Sequence, residues 1–174
     1  MTIIQQSNPL LHQKSEHIPI ANIPQKATQN LIERMKRTLR AEPDGIGLAA
    51  PQIGVSKAVF IVSEHVLRPP EAKEETDEAR KKQKETERYL VFINPRIMKL
   101  SKKTKLMHEG CLSVRGVYGM VKRSTNVTVE AYDEYGKKFT RGAGGLLAHV
   151  IQHETDHVNG ILFIDTALSV EKAA

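Results

Sequence analysis

Apolar residues along this chain follow three different rhythms. After Pro24, Leu31, Ile32, Met35 and Leu39 recur at three- and four-residue steps, which predicts a helix over about residues 25–41. KAVFIV (57–62) and YLVFINPRIMKL (89–100) are dense in β-branched and aromatic residues and predict strands, the second with a break at Pro95. NVTVEAY (126–132) and KKFTR (137–141) alternate and flank the turn signal DEYG, which predicts a hairpin. GAGGLLAHVIQHETDHVNG (142–160) reads as a helix ended by Gly160, and ILFID (161–165) as a short terminal strand or extended piece. The first two dozen residues are punctuated by proline and asparagine, so an irregular start is expected, with a short strand at Ile18–Ile20. EPDGIGLAAPQIGV (42–55) reads as a glycine-rich loop, with Gly45 as a turn residue. Strands followed by one buried helix suggest an α+β domain.

One stretch follows no apolar rhythm. Glu64 to Arg88 holds eight acidic and seven basic residues, opens with two prolines after Arg68 and lacks an apolar face. Opposite charges at i, i+4 (Asp77 with Lys81, Glu78 with Lys82) support a solvated helix. We read residues 64–89 as an exposed charged insertion, partly helical or disordered, within a single domain spanning residues 1–174.

Composition narrows the class. Hydrophobic residues make up 40% of the 174 and charged residues 26%, with no tryptophan, so aliphatic packing must build the core. No apolar run is long enough to span a bilayer, and the N-terminus has no secretory pattern, so a soluble cytoplasmic protein is expected. A single cysteine, Cys111, excludes an internal disulfide. The formal charge of +6 is concentrated between Arg96 and Arg123, where eight basic residues face one acidic residue, Glu109. Such a cluster could steer an anionic partner such as RNA. A solvated basic face is preferred because no aromatic residues are interleaved for base stacking, and no direct nucleic-acid specificity is expected.

Candidate chemistry sits in HVIQHETDHVNG (149–160). His153 and His157, one helical turn apart, present two imidazoles on one face, and Glu154 stands beside any water an ion would hold. A catalytic ion needs a third protein ligand and an open position. His149 extends the same face but lies eight residues from His157, roughly 12 Å of rise, too far to share that ion. A pocket lining or packing role suits it better. In the longer zincin pattern the next histidine position holds Phe163. Glu171 in the tail remains a third-ligand candidate, as does Cys111 in MHEGCLSVRGVYG. A lone cysteine is usually a small buried hydrophobe. Its neighbours, Gly110 with room for close backbone approach and turn-forming Gly116, raise its claim. GIGLAAPQ lacks the phosphate-loop pattern and suits close approach of a substrate backbone, with Gln52 placed to donate to an oxyanion.

GIGLAAPQ (45–52), EGCLS (109–113) and QHETDH (152–157), in that order, resemble the three signature motifs of the peptide deformylase family. The similarity extends over nearly the whole chain, including Tyr118–Gly119, Arg123 and RGAGGLLAHVIQ. The resemblance implies antiparallel β-sheets wrapped around a central C-terminal metal-binding helix, plus an N-terminal helix. It implies removal of the formyl group from formylmethionyl nascent polypeptides, with release of formate. Carried onto this sequence, the ligands of one divalent metal ion would be Cys111, His153 and His157. Ferrous iron is the first expectation, with zinc, nickel or cobalt as alternatives. Glu154 would move the proton, and Gln52 with the backbone N–H of Leu112 would hold the oxyanion.

The substrate backbone would bond near Ile46, Gly47 and Gly110. Ile46, Met107, Leu146 and His149 would wall the methionine pocket. His149 replaces the aliphatic residue many members carry, and Arg115 stands where proline is common. Glu109 and Arg123 would form a structural pair. A ribosome-surface contact is a further expected partnership. Three competing readings are a zinc peptidase on the same helix, a non-catalytic deformylase-like binding protein and a basic RNA-binding protein with a structural metal. The last would need a fourth protein ligand.

Overall fold

The computed structural model describes residues 2–67 and 87–173. Helix α1, Lys26–Arg40, turns Ile32, Met35 and Leu39 inward with Thr28 and Thr38, the face its apolar spacing predicts. Strands β1 (Gly47–Ala49), β2 (Val59–Ser63), β3 (Tyr89–Leu100), β6 (Asn126–Tyr132) and β7 (Lys138–Gly144) form a five-stranded sheet in the order β1-β2-β3-β6-β7. Strands β4 (Thr104–Cys111), β5 (Val114–Ser124) and β8 (Ser169–Lys172) form a second sheet in the order β4-β5-β8. Every named pairing is antiparallel.

Period-two alternation decides which core each side chain joins. Phe60, Val62 and Phe92 point to one face, where they pack with Leu147, Val150 and Ile151 of helix α2 (Gly145–Val158). Val59, Ile61, Val91 and Ile93 point to the other and pack with Ile32, Met35 and Leu39 of α1. The five-stranded sheet therefore lies between two helices. Buried on both faces, β2 reads as a continuous apolar run for that reason. Phe60 and Phe92 stack at 4.6 Å between centroids.

Several expectations are corrected. Ile18–Ile20 is not a strand: Asn94, at φ 52°, caps the backbone of Ile18 instead, accepting from its N–H at 2.8 Å and donating to its carbonyl at 2.7 Å. That left-handed residue is also the irregularity expected near Pro95, and β3 continues past it with a register shift. The glycine-rich stretch contains β1 and a 3-10 turn at Ala50–Ile53 rather than loop alone. Gly45 closes a turn on the Glu42 carbonyl, as expected. β7 runs through Gly144, so α2 begins at Gly145, three residues later than predicted.

ILFID supplies no strand. Phe163–Thr166 is one helical turn, α3, in which Asp165 accepts from the N–H of Leu162 at 2.8 Å, and that local cap competes successfully with extension. The terminal strand is β8, whose exposed residues carry no alternation to read. Gly116 lies inside β5 with φ 70° rather than in a turn. Gly160 does end the helix segment at φ 76°, and a Cβ there would come within 2.7 Å of the Gln13 backbone. The i, i+4 pairs expected in the charged insertion lie outside the described residues. Among the described residues no helix is long and apolar enough to cross a membrane.

Candidate metal centre and cleft

Cys111 is the last residue of β4, and a two-residue turn at Leu112–Ser113 leads straight into β5. The turn presents its half-buried sulfur to α2. There Sγ lies 3.2 Å from Nε2 of His157. One ligand atom each from Cys111, His153 and His157 can be chosen within 4.8 Å of one another. Such mutual distances suit ligand atoms sharing one ion at bond lengths of about 2.0–2.3 Å. Glu171 is elsewhere, exposed on β8 with its carboxylate 3.0 Å from Nε2 of His108, so the glutamate alternative for the third ligand falls.

Glu109 supplies what ligand spacing alone did not reveal. It is two residues before Cys111 on β4, hence on the same face of the strand. Its buried carboxylate takes Nδ1 of His153 at 2.8 Å on Oε2 and Nε2 of His149 at 2.8 Å on Oε1. Arg123 of β5 donates to it twice, from Nε at 2.6 Å and from an Nη at 3.0 Å, and gives its other Nη to Asp156 at 2.6 Å. The pair expected of Glu109 and Arg123 is thus part of a four-donor cluster joining β4, β5 and α2. A carboxylate only accepts, so Nδ1 of His153 carries the proton and Nε2 keeps its lone pair for a metal.

Gln52 stands at the end of the 3-10 turn after β1. Its Oε1 accepts from the N–H of Ala49 at 2.8 Å, which fixes the amide and directs Nε2 towards Ser113 Oγ at 3.3 Å and Cys111 Sγ at 3.4 Å. Ser113, the last residue of EGCLS, is a site neighbour to which the motif reading gave no role. Leu112 lines the same cleft, and its carbonyl accepts from Gln5 at 3.2 Å. Glu154 is buried and packed against Gly47: a Cβ on Gly47 would overlap its carboxylate. Close packing against Glu154 explains why this cleft-lining position is glycine. At Gly110, which also lines the cleft, a Cβ would meet the Tyr118 ring at 2.8 Å.

The electrostatics call for a cation. Burial pushes the Cys111 thiol up to about 12 and drives the Glu154 carboxyl well above its usual range, with the charges of Glu109 and Asp156 adding to the latter. Burial holds His157 well below its ordinary value, hence neutral, the ligating form. Burial opposes the Glu109 charge as well, but hydrogen bonds from His149, His153 and Arg123 outweigh it and hold that carboxyl below the usual range. Oε2 of Glu154 is buried with no hydrogen-bond partner among the described residues. A divalent ion would stabilise both the thiolate and the Glu154 carboxylate, so the residues present fit a metal.

A cleft of about 650 Å³ opens over this centre. Its lining includes Gln52, Cys111, His153 and Glu154 together with the expected wall residues Ile46, Gly47, Met107, Gly110, Leu146 and His149. His157 is buried behind it. Arg115 and Glu42 meet at the rim, 3.1 Å apart. Two sheet edges flank the cleft, since β1 ends one sheet and β4 the other.

The sequence model of the polypeptide deformylase family matches residues 1–173. This chain belongs to that family. Peptide deformylase of Desulforudis audaxviator is 35% identical over 171 residues, covering 98% of this chain and 95% of the relative. Peptide deformylase 1A, chloroplastic, of Solanum lycopersicum is 37% identical over 166 residues, covering 94% of this chain, which spans only 58% of that relative's length. A crystal structure of the class I type b peptide deformylase of Acinetobacter baumannii superposes with a TM-score of 0.78 at 29% identity, covering 95% and 97% of the two chains. The family is metal-dependent, in keeping with the centre described above.

Arg123→Met leaves the buried Glu109 carboxylate and the half-buried Asp156 carboxylate without their guanidinium. The expected loss is about 3–5 kcal/mol in urea unfolding of the purified protein. A loss below about 1 kcal/mol would contradict the role given to this cluster.

Proposed function

We propose that this protein removes the formyl group from formylmethionyl nascent polypeptides and releases formate. The carrying observation is that Cys111, His153 and His157 converge beside Glu154 and Gln52 at the floor of a cleft flanked by two sheet edges. A linear peptide suits that shape, because an extended chain can hydrogen-bond to an open edge strand. Crystals of the Acinetobacter baumannii relative were obtained with Met-Ala-Ser bound, a peptide with the chemistry of a deformylated product.

Cys111, His153 and His157 would hold one divalent metal. When bound, it supplies the positive charge that lowers the pKa of a water molecule and polarises the formyl carbonyl. Ferrous iron is our assignment, and zinc, nickel and cobalt suit the same donors. Glu154 receives the proton of the attacking water and passes it to the departing amine as the formyl C–N bond breaks and a C–O bond forms. The Gln52 amide, held by Ala49, donates to the developing oxyanion together with the backbone N–H of Leu112. Ile46, Gly47 and Gly110 align the peptide backbone. Ile46, Met107, Leu146 and His149 receive the methionine side chain.

Formylmethionyl chains exist where translation starts, so we assign the protein to the compartment of synthesis, the cytoplasm. Lys99 of β3, Lys102 and Lys103 of the β3–β4 connection, Lys105 of β4 and Lys122 of β5 are exposed and offer a surface for ribosomal phosphates. Co-sedimentation with ribosomes should weaken steeply as salt rises. Binding that is absent at low salt removes this partner.

The functional test is formate release from formyl-Met-Ala-Ser by protein reconstituted with ferrous iron under anaerobic conditions. Turnover should fall about 10²- to 10⁴-fold in Glu154→Gln and about 10²- to 10³-fold in Gln52→Leu. Cleavage of internal peptide bonds instead would favour the zinc peptidase reading. Retention of the peptide without turnover would favour a binding protein.

A further inference from the structure

We propose that His149 is a positioning and specificity residue, which ties the side-chain cavity to the ligand His153 through the shared carboxylate of Glu109. This rests on the deformylase reading of the cleft and deepens it.

His149 and His153 are one turn apart on α2 and bond to opposite oxygens of Glu109, each at 2.8 Å. The glutamate therefore sees two imidazoles from one helix, while Arg123 grips it from β5. An aliphatic residue at 149 would leave Oε1 to the Nε of Arg123 alone. The carboxylate would then lose one of the four contacts that set its rotation, and its other oxygen is the one that orients the His153 ring. Partners behind a metal ligand govern metal affinity through that orientation.

The same imidazole also faces substrate. His149 lines the cleft beside Leu146 and Met107, with 13% of its side chain exposed. Its Nε2–H is committed to Glu109, and Nδ1 is buried without a partner among the described residues. What remains for a bound side chain is a ring edge polarised by the carboxylate behind it. A thioether sulfur gains from an aromatic edge, whereas a methylene of the same reach does not. The cavity should therefore distinguish methionine from norleucine more sharply than an aliphatic wall would.

His149→Ile and His149→Gln separate the two roles, because glutamine keeps an N–H for Glu109 but has no ring. The readouts are cobalt affinity by chelator competition, and the ratio of kcat/KM for formyl-Met-Ala-Ser over formyl-norleucine-Ala-Ser. In His149→Ile, cobalt affinity should fall about ten-fold. The methionine preference should fall about three-fold. In His149→Gln, affinity should return to within about two-fold of wild type while the preference stays reduced. If His149→Ile does not fold, His149→Leu, free of branching at Cβ, takes its place in the same comparison.

Unchanged cobalt affinity in the aliphatic variant overturns the positioning role, as does an equal loss in the glutamine variant. An unchanged substrate ratio overturns the specificity role. Wild-type protein that binds cobalt tightly yet releases no formate fails the deformylase reading instead, and the affinity comparison then judges the positioning role alone.

Discussion

The Glu109 carboxylate is the fastening on which the centre depends. It is buried, ionised and held by donors from β5 and from two successive turns of α2, so it locks the end of β4 against the helix. Cys111 follows two residues later on the same strand face, and its sulfur is delivered to the histidine pair by that locking rather than by any affinity of its own. An isolated carboxylate in such a place would be strongly disfavoured. The guanidinium of Arg123 makes it tolerable, and the remaining Nη of Arg123 donates to Asp156 on α2. Three elements that could slide against one another are thereby fixed in one register.

That arrangement leaves an unbalanced enclosure. A thiol pushed up to about 12, a second carboxyl raised by burial and an imidazole kept neutral all lie within the same few residues. Each of these preferences reverses or is exploited when a cation arrives. The centre is therefore poised for a metal by its electrostatics as well as by its geometry. The cleft above it is bounded by β1 and β4, edges that also place Gln52 and Leu112 beside Cys111. The groups proposed to catalyse and the edges proposed to bind peptide thus come from the same short segments, which limits how far either can drift.

Much of this was legible in the sequence because it rests on local periodicity. The helical face of Leu31, Ile32, Met35 and Leu39, the alternation in residues 126–132 and the i, i+4 histidines all survive folding. Two of the errors arise from side chains that take over backbone bonds. Asn94 satisfies Ile18 and Asp165 caps Leu162, and neither competition shows in a hydropathy pattern. Strand β8 is exposed throughout and offered no pattern. Gly47 is glycine for Glu154, a contact far apart in sequence, and Gly110 for Tyr118, its partner across the β4–β5 hairpin. The bridging of His149 and His153 by Glu109 was hidden for the same reason. One available signal was the two-residue step from Glu109 to Cys111, which puts both on one face of a strand.

The central claim is that one sulfur and two imidazole nitrogens share a single cation. X-ray absorption fine structure at the metal edge of the iron- or zinc-loaded protein tests it most directly. The account predicts one sulfur and two imidazole scatterers in the first shell, with the sulfur lost in Cys111→Ala. A first shell of nitrogen and oxygen alone in the wild-type protein would contradict it.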